Sequence, residues 1–137
     1  MKTTKKHGNK MLLELARYLR GLRRGQFNYA WFSHKRSQEA GTPLPTEEDL
    51  VQHTCGTTAC AAGYATVLPM FRRKGLQLQN GQPAVGGLFG FDAMSRVLGM
   101  SHKESLVLFD PIESGLGEEA TAKQVAAHIE KFVESRS

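Results

Sequence analysis

Apolar residues recur at helical spacing between residues 10 and 24, where Leu12, Leu15, Ala16, Leu19 and Leu22 share one face and Arg17, Arg20, Arg23 and Arg24 lie largely on others. The period predicts an amphipathic helix over 10–24 stopped by Gly25, preceded by a basic, aperiodic tail at 1–9 that frays. Phe27, Tyr29, Trp31 and Phe32 then crowd together. Aromatics this close to a core helix read as core filling ahead of base stacking. Residues 33–45, polar with Gly41, Pro43 and Pro45, read as a loop, and Thr46 before Glu47, Glu48 and Asp49 predicts a helix start.

The next helical stretch follows Cys55-Gly56-Thr57-Thr58, with Thr57 or Thr58 as its cap and Pro69 as its end or kink. Leu76 to Gln79 alternates, Asn80-Gly81 suits a type I′ turn, and residues 82–85 return, with Pro83 weakening the second arm. Gly86, Gly87 and Gly90 predict flexibility. Residues 91–98 read as a helix stopped by Gly99, and Ser101 with Glu104 forms a capping box for another that ends at Asp110-Pro111. After a loop at 112–120, Thr121 caps a last helix with Val125, Ala126, Ile129, Phe132 and Val133 inward. The elements add up to a mainly α, compact single-domain helical fold with one small β-hairpin, the domain running over 10–137.

Composition adds a charge pattern. The 137 residues carry a net charge of +5. Residues 1–75 hold 13 Lys and Arg against 5 Asp and Glu, a surplus of eight; residues 76–137 hold 5 against 8, a deficit of three. Such a half attracts nucleic acid, a nucleotide or an acidic host protein through its summed field. No apolar run reaches the roughly 18 residues of a membrane span. Two cysteines behind no recognisable export signal predict a reducing compartment, the bacterial cytoplasm.

The least generic segment is Cys55-Gly56-Thr57-Thr58-Ala59-Cys60-Ala61-Ala62-Gly63. It resembles the Cys-Gly-Thr-x-x-Cys-x-Ala-Gly motif of small uncharacterised phage and bacterial proteins. Residues 98–109 are similar to a second segment of that group, Leu-Gly-Leu-Thr/Ser-x-x-Glu-Ala-x-x-Leu-Phe, departing at Met100 and Ser105. The resemblance implies a phage or mobile-element origin and a shared fold more than an activity.

Four readings of the segment compete. Gly56, Thr57 and Thr58 form a structural turn and cap ahead of buried cysteines, or the amides of residues 56–59 make an anion pocket at a helix start. Cys55 and Cys60 could support a thiol enzyme or redox sensor, with His53 as base. A zinc site would take His53, Cys55, Cys60 and His34. A further alternative is a helix-turn-helix regulator over residues 91–109, in which Ser105 stands where an apolar residue usually packs and only His102 and Lys103 offer basic contacts. The leading expectation is a non-enzymatic accessory protein without a cofactor. It binds nucleic acid, a nucleotide or an acidic host protein through Arg17, Arg20, Arg23, Arg24, Arg72, Arg73, Lys74 and the Gly56, Thr57 and Thr58 turn.

Overall fold

The computed structural model describes residues 3–23, 25–29, 32–33, 44–53 and 57–136. Among them the chain is mainly α, with a small three-stranded antiparallel sheet. Helix α1 (Lys5–Arg20) starts where Thr4 takes the N-cap and accepts a hydrogen bond from the His7 amide at 3.1 Å. Most of the stretch expected as a frayed tail is therefore helical. Tertiary packing holds it: the buried Thr3 hydroxyl donates to the Val97 carbonyl at 2.7 Å, and Gly8 is buried so close to the next layer that a Cβ there would meet the Leu98 carbonyl oxygen at 2.7 Å. The helix stops at Arg20 with Gly21, and not Gly25, after it.

Met11, Leu12, Leu15, Ala16 and Leu19 form the fully buried stripe of α1. Burial of each larger side chain is worth about 1.5–3 kcal/mol. The stripe packs on the last helix, α7 (Ala122–Arg136), which buries Val125, Ala126, Ile129 and Val133. Arg136 Nε donates to Asn9 Oδ1 at 2.6 Å, and the Arg20 guanidinium grips Glu130 with two bonds of 3.1 and 2.6 Å. The pairing makes the two helices antiparallel.

Between them, α2 (Glu47–Gln52) opens on a reciprocal capping box of Thr46 and Asp49. Then come two short helices, α3 (Ala61–Ala65) and α4 (Pro69–Arg72). Pro69 starts α4 instead of ending its predecessor, because the first helical position needs no N–H. Strands β1 (Gln77–Gln79) and β2 (Gln82–Val85) form the expected hairpin, with Asn80 and Gly81 at φ 51° and 75° as a type I′ turn requires. Pro83 sits opposite Leu78, one pair beyond the residues flanking the turn, where the ladder asks for no N–H from it. Gly86 and Gly87, expected as a flexible segment, repeat the positive-φ pattern at 52° and 82° and return the chain as β3 (Leu88–Phe89), giving the order β1-β2-β3.

Helix α5 (Phe91–Leu98) ends at Gly99 in the left-handed region, and α6 (His102–Phe109) begins at the predicted box. The Ser101 amide donates to Glu104 Oε1 at 3.0 Å, which, with the field of Arg136, holds that carboxyl below its ordinary range. Thr121 and Gln124 bond reciprocally at the start of α7. Buried side chains of α1, α3, α5, α6 and α7 join in one hydrophobic cluster.

Candidate functional site

The described part of the Cys-Gly-Thr segment, from Thr57 on, folds differently from its expected role. Cys55 and Gly56 lie outside the described residues. Thr57 is 1% exposed, Thr58 is half-buried, and neither caps a helix. Thr58 and Ala59 are bridge residues beside the aromatic segment: Ala59 pairs with Phe27 in a parallel bridge, and the Asn28 amide donates to the Ala59 carbonyl at 3.0 Å. Helix α3 then starts at Ala61 with Cys60 as an N-cap that makes no side-chain cap bond. Of the amides expected to form an anion pocket, that of Ala59 therefore belongs to a bridge-paired residue ahead of the helix, Gly56 is outside the described residues, and α3 is little more than one turn.

Cys60 is buried, and desolvation pushes its thiol up to about 11. A nucleophilic or redox thiol needs the opposite displacement. Tyr64, fully buried on α3, donates its hydroxyl to the Gln26 carbonyl and stacks at a tilt on Tyr18 with ring centroids 5.5 Å apart. Tyr29 donates to the Leu108 carbonyl at 2.9 Å. Tyr29 thus fills the core, with Phe27 and Phe32 packed half-buried against it; Trp31 lies outside the described residues. Among the described residues no group of three His, Cys, Asp or Glu is placed to hold a metal ion, and His34 and Cys55 of the zinc reading are outside that set.

The α5-Gly99-α6 corner does exist, and Ser105 packs at its centre with no exposure, its hydroxyl donating to the Phe91 carbonyl at 3.3 Å. His102 is paired with Asp92 at 3.0 Å, which leaves Lys103 as the free base in the first turn of α6. A reading helix with one free cation makes a poor groove contact. Because Ser95 also donates to the Phe91 carbonyl at 2.9 Å, Ser105→Ala is expected to cost no more than about 1 kcal/mol in urea unfolding. A loss above about 2 kcal/mol would make the hydroxyl a tie that the corner depends on.

The basic residues separate into used and unused charges. Arg72 donates to Glu47 and, at 3.0 Å, to the Thr66 carbonyl, fastening α4 to α2; it is a structural residue. Arg73 is exposed, Lys74 half-buried, and Arg23 lies exposed beyond the end of α1; Arg24 is outside the described residues. What the structure brings together is a single stripe. Lys6, Lys10, Leu13, Arg17 and Arg20 are all exposed and fall within an arc of about 80° on α1, opposite its buried face, over about 21 Å of helix. Arg20 is spent on Glu130, whereas Lys6, Lys10 and Arg17 have no ion pair among the described residues. Glu14 borders the stripe on one side.

Lys6 and Lys10 belong to the stretch that sequence reasoning gave to a frayed tail or to its border. The i, i+4, i+7, i+11, i+14 spacing was available once the helix is begun at Lys5, and the capping threonine at position 4 is the signal for that start.

A cleft of about 770 Å³ opens beside the N-terminal segment, walled by Thr3, Leu88, Asp92, Arg96 and Met100. Asp92 and Arg96 put opposite charges into it. No helix among the described residues is long and apolar enough to cross a membrane. Compared with protein-family models, curated proteins and solved structures, the chain matches none.

Proposed function

We propose that the chain is a binding module that contacts nucleic acid through the solvent face of α1. The observation that carries this reading is the stripe of Lys6, Lys10 and Arg17, exposed on one face of one ordered helix and without an ion pair among the described residues, with the Glu130-paired Arg20 at its end. Structural needs account for only part of it. Arg17 and Arg20 stand in the last turn, where the negative end of the helix dipole favours cations. Lys5 and Lys6 stand in the first turn, which holds no acid, and there the dipole opposes them by about 0.3–1 kcal/mol each. Charge kept against the helix's own preference supports a contact with an external anion. The thiol reading has weaker support, since the described cysteine is buried with a raised pKa.

The opposition between stability and binding gives the test. Lys6→Glu puts an acid at the positive end of the helix, so the melting temperature is expected to hold or rise by one or two degrees. Paired with Arg17→Gln, it is expected to weaken binding to a mixed-sequence DNA at least about tenfold in 50 mM salt, as measured by fluorescence anisotropy. Unchanged affinity in a double variant that melts normally would remove α1 as the contact surface.

A further inference from the structure

We infer that the α1 face takes the phosphate backbone of a nucleic-acid duplex and reads no sequence, an inference that rests on the nucleic-acid reading of that face. The stripe offers charge and nothing else. Its non-cationic member is Leu13, 44% exposed, which neither donates nor accepts a hydrogen bond. Glu130 takes the Nε–Nη2 edge of the Arg20 guanidinium and neutralises its charge, leaving Arg17 as the guanidinium on the stripe without an ion pair among the described residues. Base readout in a groove needs several forked or amide side chains entering together. Helix α1 cannot enter in that way, because Gly8, Met11, Leu12, Leu15, Ala16 and Leu19 sink half of its circumference into the protein and it presents a ridge.

Single strands are held largely by stacking bases on exposed aromatic rings. Among the described residues, Tyr18 on this helix lies half-buried against Tyr64, Phe27 stacks on Tyr29 at 6.0 Å, and Phe132 on α7 is half-buried under the Arg136 guanidinium. A surface limited to point charges prefers the strand form with the denser charge, and a duplex sets one phosphate per roughly 1.7 Å of axis. The stripe's length of about 21 Å, with cations one to two turns apart, suits phosphates of one strand crossing the ridge.

The experiment measures anisotropy of labelled 20-residue probes with the full chain between 25 and 200 mM salt. Probes are two duplex DNAs of unrelated sequence, a duplex RNA, and the component single strands. Expected are equal affinities for the two DNA duplexes within about twofold, single strands bound several-fold more weakly, and a slope of log K against log salt near −2.7 from Lys6, Lys10 and Arg17. Lys10→Gln with Arg17→Gln should reduce the slope by about 1.8 while circular dichroism stays unchanged. Binding to both duplex forms, or to one of them, supports the inference and identifies the source of the phosphates. Single strands bound as tightly as duplexes, or a tenfold preference between the two sequences, would overturn it while leaving the nucleic-acid reading of the face intact. No binding to any probe at 25 mM salt overturns both, and capture of an acidic protein in that case would assign the stripe to a protein partner.

Discussion

Gly63→Ala is expected to destabilise the fold by at least about 3 kcal/mol, or to prevent folding altogether. A Cβ at this position of α3 would run into the Phe32 backbone carbonyl and stand 2.8 Å from the Ala59 Cβ. Neither is the far end of a flexible chain, so relief requires α3 to separate from the aromatic segment. That movement would disturb Cys60 and Tyr64 on one side and the half-buried Phe32, packed on Phe91 with centroids 5.2 Å apart, on the other. Gly21→Ala is the control. Its backbone lies in the ordinary helical region, a Cβ there would meet only the Tyr18 carbonyl oxygen at 3.5 Å, and the unfolded chain loses freedom. The same substitution there is expected to be neutral or to add about 0.4–1 kcal/mol. Urea unfolding of the two variants separates them, and a Gly63→Ala protein within about 1 kcal/mol of wild type would mean that α3 and Phe32 are not in backbone contact.

Raising the pH from 9 to 12 is expected to remove on the order of 5 kcal/mol of stability. Burial pushes the Cys60 thiol up to about 11 and the Tyr29 phenol up to about 12, from ordinary values of 9.0 and 10.0. Tyr64 is raised in the same direction by burial and by Tyr18. Above pH 9 the unfolded chain releases these protons while the folded chain keeps them, so the unfolded state gains and stability falls as pH rises. These groups contribute their full share below pH 9 and lose it as the pH climbs through the folded values. Each tenfold change in proton affinity is about 1.4 kcal/mol, so Cys60 and Tyr29 together account for the figure given. In reductant, Cys60→Ala should delay the onset by about one pH unit, toward the ordinary tyrosine value. Stability that stays level to pH 11, or an onset indifferent to Cys60, would contradict the buried setting of these groups.

Features written in local chemistry were legible in the sequence. The Thr46, Ser101 and Thr121 caps, the Asn80-Gly81 turn and the Gly99 stop all depend on residues within four positions of one another, and all occur where their side chains predict. The second turn at Gly86-Gly87 had the same kind of signature, two residues of positive φ between Val85 and Leu88, but a glycine cluster reads as loosely as it reads as a turn. Features that depend on distant partners were not legible. An Ala-rich run reads as helix, yet pairing of Ala59 with Phe27 keeps Ala59 out of the helix, and α3 starts only at Ala61. The start of α1 carries one local signal, the Thr4 cap, but what holds it in place is Thr3 and Gly8 meeting α5 some ninety residues later, which no local period records. The candidate stripe was half visible for that reason: its arginines follow an apolar period, whereas its lysines become neighbours only on a helix begun at Lys5.

The antiparallel pairing of α1 with α7 also sets the order in which the molecule can be made. Its ties join positions 110 and 127 residues apart, Arg20 with Glu130 and Asn9 with Arg136. At about 5–20 residues per second, a ribosome delivers the partner of α1 on the order of ten seconds after α1 itself. Through that interval Met11, Leu12, Leu15 and Leu19 lack the helix that covers them, and a 16-residue segment is only marginally helical alone in water. Closing so large a loop comes before the reward of the contact, which places the first and last helices together at the end of folding. The basic face therefore acquires its rigid spacing only on a finished chain, so a nascent or truncated product carries the same charges without their alignment.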